Sequence, residues 1–508
     1  MFGLNPWDVL SLTVYLLGIT ALGLWAAKRV HNLGDYFMGG RKFGRWFMIM
    51  HNFGTGTHTD QAVSVAGASY KIGLAGIWYQ WLWLFVTPFY WLTPLIFRRM
   101  RYITTSDYFE ERFSKGLGIF YTFAGMFFMM IAMAMMLNGT GRTIEGITDG
   151  QMPMGLSVTV MTVLFVAYGV AGGLHAAVIT DFVQGMFIVV MSFLLLPFML
   201  DKVGGFVGLH AKVPEHMFNL TAPRDLPPPY EAVTVYYIVV VVINALVGIV
   251  AQPQTMEGAG AAKNELESRI GACFGSLLKR FCTVAWAFVG IGAIALYPHL
   301  EHPELAFGTA VKDLLPVGLV GIMLAAILAA VMSSCDSFMI VGSALFTRNL
   351  YQRYLVRGRD ERYYLRVSRI ASVGIVAGGL LLTFTFGSVA ELLKFFWKVT
   401  GLVGISFWGG VLWRRANRYG AWASIIAGGI VLLATSKTTL FGYEVGLGLS
   451  LANQIVWYLS AGIGSLVAVS LLTRPESKEM LDRFYTVLYT PVGQEHKLRE
   501  AGISVVLE

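Results

Sequence analysis

Charge is what this chain has least of. Only 13% of its 508 residues are Asp, Glu, Lys or Arg, and 56% are hydrophobic before its 57 glycines are counted. Soluble domains carry about 25% charged residues and roughly 45–50% apolar ones with glycine included. A chain of 55.9 kDa with about half the usual charge cannot cover its surface with solvated groups. That excludes a soluble multidomain enzyme and a disordered chain. Cysteine is scarce too. Cys273, Cys282 and Cys335 lie inside hydrophobic segments without CxxC or metal-ligand spacing. A secreted disulfide scaffold is therefore excluded, and the three read as small apolar fillers. HExxH, Walker A and GxSxG motifs are also missing, which argues against a membrane enzyme.

What is present is a series of apolar stretches. About 20 apolar residues cross a bilayer as a helix. That window finds thirteen candidates, near 7–27, 45–70, 76–97, 117–140, 153–171, 174–200, 234–252, 270–297, 317–346, 365–387, 389–413, 419–436 and 450–472. The first has no basic segment before it and no small-residue cleavage site after it, so it reads as a retained membrane helix. The net charge of +8 would suggest nucleic acid in a soluble protein. Here the basic residues sit between apolar stretches, so the partner is a lipid bilayer and no nucleic acid is implied. With the N-terminus outside, 27 Lys and Arg fall on the inner side and seven on the outer. This positive-inside bias predicts thirteen spans, N-terminus out and C-terminus in, and a multi-pass protein of the cell (inner) membrane. Residues 1–472 read as one transmembrane domain with core repeats at about 45–200 and 234–413, and 473–508 as a short cytoplasmic tail. Leu481, Phe484 and Leu488 in that tail predict a short surface helix. The stretch 201–232, with Pro227, Pro228 and Pro229, is expected to have little regular structure.

Two spans are interrupted where a passive lipid-facing helix would not be. The second reads His51-Asn52-Phe53-Gly54-Thr55-Gly56-Thr57-His58-Thr59-Asp60-Gln61, and the seventh ends in Ala251-Gln252-Pro253-Gln254-Thr255. Irregular backbone at membrane depth is tolerated where it lines a cavity or is buried in protein. Broken helices in corresponding positions of two halves point to a transporter site. The breaks lie five spans apart, an odd number, so the halves enter the membrane from opposite sides as an inverted repeat. The plainer alternative is a small-residue packing face at Gly54-x-Gly56 and a simple helix end at Pro253.

Three segments carry a resemblance. Gly67–Ala75 (GASYKIGLA), Gly172–Gln184 (GGLHAAVITDFVQ) and Ala329–Ser337 (AAVMSSCDS), the last followed by Phe346-Thr347, resemble the sodium:solute symporter family. They are similar to its sodium–galactose, sodium–proline and sodium–sialic acid members. The resemblance spans nearly the whole chain. It implies an all-α membrane protein with the leucine-transporter-like five-plus-five inverted repeat, discontinuous first and sixth core helices (spans 2 and 7), and sodium-coupled uptake of a small-molecule solute. One or two sodium ions would be used.

Matched residue by residue, the resemblance places the principal sodium site at the backbone carbonyls of Gly54, Thr57 and Ala330 and the hydroxyls of Ser333 and Ser334. Sodium sheds its water for hard oxygen ligands, and unwound carbonyls with hydroxyls supply them. The serines can instead bond back to their own helix. Asp181 is a carboxylate within a span and needs a cation or proton partner. In some family members its equivalent belongs to a second sodium site, which here becomes Asp181, Ser333, Asp336 and Ser337. Asp336 departs from the serine found in those members. Two carboxylates there either bind sodium more tightly or share one proton. Asp336 alternatively pairs with Lys279 or Arg280.

The resemblance also implies a substrate pocket at Gln61, Tyr79, Gln80, Lys279, Trp397 and Lys398. Gln80 replaces a sugar-binding Glu of the family's sugar transporters, and Trp397 replaces a sugar-binding Gln. A sugar needs many hydroxyl partners, so these losses favour a carboxylate or amino acid, with a sugar or polyol as the alternative. Lys279, Arg280, Lys398 and a half-helix N-terminus suit an anion, although Lys394 and Lys398 can equally snorkel to an interface. His58 is either a titrating or substrate-binding group or simply hydrogen-bonded. A solute sensor is a rival function, but the tail shows no kinase motif. A channel would not need paired broken helices. A monomer or weak homodimer is expected.

Overall fold

The computed structural model describes residues 3–30, 32–222, 230–385, 389–440 and 443–505. The chain is helical almost throughout, as lipid demands of a backbone that must pair internally. Among the described residues, nine helices are long and apolar enough to cross a membrane: Pro6–Ala27, Lys115–Ile147, Gly172–Val203, Glu265–Leu296, Leu319–Leu355, Glu361–Thr383, Leu393–Leu412, Arg418–Thr435 and Leu451–Leu472. Val235–Ala251 and Pro253–Gly260, bent by 60°, make a tenth if counted as one span. The three remaining apolar candidates are helical in shorter pieces. The 45–70 stretch divides into Arg45–Gly56 and Thr59–Ile72. The 76–97 stretch is a succession of short α and 3-10 turns, with Pro88 and Pro94 each near the start of one. Proline lacks the N–H that a continuous helix would use there. The 153–171 stretch holds the short apolar helix Met154–Ala167. A small antiparallel hairpin pairs Thr438–Leu440 with Tyr443–Val445.

The stretch 201–232 is more regular than its composition suggested. Gly204 and Gly205, at φ +94° and +70°, end one helix and let Gly205–Lys212 begin, and Leu209 of that helix is buried. Glu215–Phe218 adds a 3-10 turn. The Pro227–Pro229 run lies outside the described residues.

Leu319–Ala344 is the central element, with nearly every residue buried. It packs on Met154–Phe193, Lys115–Ile147, Pro6–Ala27 and Arg45–Gly56. Asp8 of the first helix caps it from outside: Oδ1 accepts from the N–H groups of Gly318 at 2.7 Å and Gly321 at 2.9 Å. A carboxylate at a helix N-terminus satisfies orphan donors and opposes the macrodipole.

Met154–Phe193 is kinked at Gly173, where φ is +53°. A Cβ there would lie 2.5 Å from Tyr36 Cδ2 and 2.7 Å from its carbonyl oxygen. Gly173→Ala is therefore expected to cost about 1–3 kcal/mol in backbone strain alone, with the clash in addition. Thermal unfolding in detergent reads this, and an unchanged midpoint would contradict it.

The tail forms the helix Lys478–Tyr489, burying Leu481, Phe484 and Leu488. Arg101, 1% exposed, fastens it. Its guanidinium donates to Glu495 Oε1 at 2.9 Å and to the carbonyls of Thr490 at 3.1 Å and Pro491 at 2.9 Å. Burial alone would raise the Glu495 carboxyl, but the Gly493 N–H and Arg101 outweigh it and hold it below its ordinary value of 4.5. A depressed folded-state value means that this fastening is present at neutral pH and is lost as pH falls through it. Limited proteolysis is expected to show a protected tail at neutral pH and release on acidification. Glu495→Gln should weaken protection at neutral pH and flatten that pH dependence, and a variant indistinguishable from wild type would contradict the assignment.

Candidate functional site

The site begins with a helix that stops inside the protein. Arg45–Gly56 ends where Thr57 and His58 turn extended, at φ −127° and −132°, and a new helix starts at Thr59. The last carbonyls of a helix have no partner within it. Here they turn to neighbouring helices. Ser334 Oγ lies 3.3 Å from the Gly54 carbonyl and 3.2 Å from that of Thr55. The Lys279 ammonium reaches the Gly56 carbonyl. The second break is built alike. Gln252 is extended, Pro253 opens the next helix without needing a donor, and the freed Ala251 carbonyl accepts from Tyr121 Oη at 2.7 Å.

Around Ser334 the geometry is one of converging oxygens. Its hydroxyl also lies 3.2 Å from the carbonyl of Ala330, so three carbonyls face one Oγ that owns a single proton. Ser333 Oγ lies 3.4 Å from the same Ala330 carbonyl and would be 3.6 Å from a Cβ at Gly54. Thr57 donates its N–H to the Gly54 carbonyl at 3.1 Å. Its buried hydroxyl has no hydrogen-bond partner among the described residues. Gly54, Ala330, Ser333 and Ser334 are thus drawn together, with Thr57 attached through Gly54. Neutral, hard oxygen donors with more lone pairs than protons are the donor set a dehydrated alkali cation takes.

Beside this cluster stands Asp181, fully buried on Met154–Phe193. Its Oδ2 lies 2.7 Å from His51 Nδ1, within hydrogen-bond distance, and accepts from Thr55 Oγ1 at 3.4 Å. Thr55 Oγ1 is also 3.5 Å from Ser337 Oγ. Asp181 and Ser337 therefore meet through Thr55, and Asp181 and Ser333 both border Gly54. Asp336 faces Gly169, where a Cβ would lie 2.5 Å from Asp336 Oδ1. Lys279 and Arg280 bond to the carbonyls of Gly56 and Gln80.

A cavity of about 170 Å³ opens between the two breaks. Gln61, Gln80, Lys279 and Trp397 line it, together with His51, His58, Gln252, Gln254 and Glu257. Two residues placed in the pocket from sequence do not reach it. Lys398 bonds to Gln454 Oε1 at 3.3 Å on the outer helix Leu451–Leu472, because the residue after Trp397 points about 100° around the helix from it. Tyr79 sits behind Trp397 and Tyr230, its ring 6.4 Å from each. His58 is hydrogen-bonded, its Nδ1 2.6 Å from Asp60 Oδ1.

His51 and Glu257 were not singled out from the sequence. His51 had a signal: Asp181 needed a partner, and His51 is the titratable residue one turn before Gly54. Glu257 had one as well, being an acidic residue just after the second break.

Comparison with known proteins matches residues 36–428 to the model of the Sodium:solute symporter family. The sodium/glucose cotransporter of Vibrio parahaemolyticus is 24% identical over 463 residues, 84% of each chain. The osmoregulated proline transporter OpuE of Bacillus subtilis is 25% identical over 492 residues, 92% of this chain and 96% of its own. Among solved structures, a Na+-coupled sialic acid symporter in a substrate-bound outward-open state aligns at TM-score 0.78 with 18% identity, over 93% of this chain and 98% of that one. At that identity the likeness is one of fold.

Proposed function

This chain belongs to the sodium:solute symporter family, and from that premise we propose that it imports a carboxylate or amino acid together with sodium by alternating access. Its relatives are transporters, not enzymes. The observation that carries the reading is the meeting of the Gly54, Thr55 and Ala330 carbonyls at Ser334 Oγ. In this reading Gly54, Thr57, Ala330, Ser333 and Ser334 hold the principal sodium ion. Asp181, Ser333, Asp336 and Ser337 form a second cation site. Gln61, Gln80, Lys279 and Trp397 contact the solute.

Sodium bound there ties Arg45–Gly56 to Leu319–Ala344, favouring the outward-open conformer that also accepts the solute. Each ligand then raises the other's affinity by the same factor. One charge moving down about 100 mV supplies about 2.3 kcal/mol, which is roughly fifty-fold accumulation of a neutral solute. The topology that goes with this is thirteen spans with the N-terminus out, in two inverted repeats, in the cell membrane, as a monomer or weak homodimer. A sugar or polyol is the second reading, favoured by the side-chain amides of Gln61, Gln80, Gln252 and Gln254 along the cavity.

The test is the melting temperature of the purified protein in sodium against potassium or choline chloride at equal ionic strength. Sodium alone is expected to raise it, since an ion bound only by the folded state stabilises by RT ln(1 + [L]/Kd). Identical curves in all three salts would refute sodium coupling and favour a channel or a sodium-independent sensor.

A further inference from the structure

The cavity wall carries a carboxylate that neither cation cluster uses. Glu257 lies just beyond the Gln252–Pro253 break, on the helix Pro253–Gly260, and is 5% exposed. Its Oε1 has no hydrogen-bond partner among the described residues, although the residue lines the cavity. A buried ionised carboxylate left this way is costly, so such a group calls for an external donor or cation. On the facing helix Glu265–Leu296, Lys279 is 8% exposed and lines the same cavity. Among the described residues its ammonium bonds to the Gly56 carbonyl. A neutral carbonyl leaves the charge uncompensated and N–H donors to spare. Asp60 acts on Lys279 through space but is itself bonded to His58 at 2.6 Å.

Both residues line the one cavity, and their chain segments meet the helix Arg45–Gly56 about a turn apart, Lys279 by its side chain and Glu257 through its neighbour Gly258. Lys279 reaches it at Gly56. Gly258, next in the chain to Glu257, abuts the same helix, since a Cβ there would lie 3.7 Å from Asn52 Oδ1 and 3.8 Å from His51 Nε2. Positions 52 and 56 are separated by about 6 Å along a helix.

The geometry points to a zwitterionic solute, an amino acid or N-methylated amino acid, whose carboxylate meets Lys279 and whose ammonium meets Glu257. This rests on the symporter reading above and narrows its substrate class. A carboxylate without an amine leaves Glu257 unpaired and sets a second negative charge near it. A sugar leaves both charges unpaired. Sites that bury charges for a partner reject analogues lacking that partner far more strongly than they reject a missing methylene.

The experiment is a thermal-shift series on the full chain, in sodium and in potassium, with matched probes. These are the twenty amino acids, glycine betaine and 4-aminobutanoate, set against their deaminated carboxylates (propanoate for alanine, cyclopentanecarboxylate for proline) and against hexoses. At least one zwitterion is expected to raise the midpoint by about 2 °C or more in sodium, while its deaminated partner leaves it unchanged. Glu257→Gln is expected to keep the response to sodium alone, which shows that it folds, and to weaken the zwitterion response at least about tenfold in half-saturating concentration. An equal response to a deaminated carboxylate or a hexose, no response to any zwitterion, or an unaltered response in Glu257→Gln would each overturn the assignment. Loss of the sodium-only shift in wild type would instead strike the symporter reading itself.

Discussion

Ser333→Ala/Ser334→Ala protein is expected to need at least about ten times more sodium for half of the thermal stabilisation that wild type shows, a loss of about 1.4 kcal/mol or more in binding. The double variant removes two of the five proposed ligands and leaves the carbonyls of Gly54, Thr57 and Ala330. Of the single variants, Ser334→Ala should have the larger effect. Its Oγ stands among three carbonyls at 3.2–3.3 Å, whereas Ser333 Oγ has one, at 3.4 Å. Alanine is the better helix former, so the sodium-free protein should lose little stability. What it loses is a bridging hydrogen bond, about 1 kcal/mol. Unchanged half-saturating sodium in the double variant would remove the serines from the ion site.

A larger effect on stability is expected at the His51–Asp181 pair. His51→Ala leaves a fully buried carboxylate that, among the described residues, has Thr55 Oγ1 at 3.4 Å as its remaining hydrogen-bond partner. Removing one partner of a buried pair costs about 3–5 kcal/mol, because the other charge stays behind uncompensated. Asp181→Asn should cost much less, since the amide carries no charge and still bonds to the ring. Combining it with His51→Ala should recover most of the loss. The measurement is unfolding in detergent, without sodium, for the two single variants and the double. A His51→Ala protein as stable as wild type would mean that Asp181 does not depend on His51.

Where the sequence was read correctly, the reason is that lipid is an unforgiving solvent. A run such as His51–Gln61 has no place in a passive span, and the structure does break the helix at Thr57 and His58. Gly172-Gly173 marked the end of one candidate span, and the chain turns there with Gly173 at positive φ. What stayed hidden depended on tertiary contacts. The 76–97 stretch is apolar enough to read as one helix, but its prolines and packing divide it into short turns. Composition also gave no hint that Gly204-Gly205 would start a helix in the 201–232 stretch. At the site, spacing along one helix brought Ser333 and Ser334 to the break, because both contacts lie within a turn of each other. Which of Trp397 and Lys398 faces the cavity depends on helix rotation, and periodicity in an all-round apolar span does not fix that. The pairing of His51 with Asp181 joins residues 130 apart, beyond any local pattern.

Equilibrium binding of radioactive sodium to the purified full chain, in wild type and in Ser333→Ala/Ser334→Ala protein, would test the ion site at its source. Wild type should bind saturably and resist competition by excess potassium, and the double variant should lose that binding while keeping its fold by circular dichroism. If the folded double variant binds sodium as tightly as wild type, the oxygens at Gly54, Thr57, Ala330, Ser333 and Ser334 do not hold the ion.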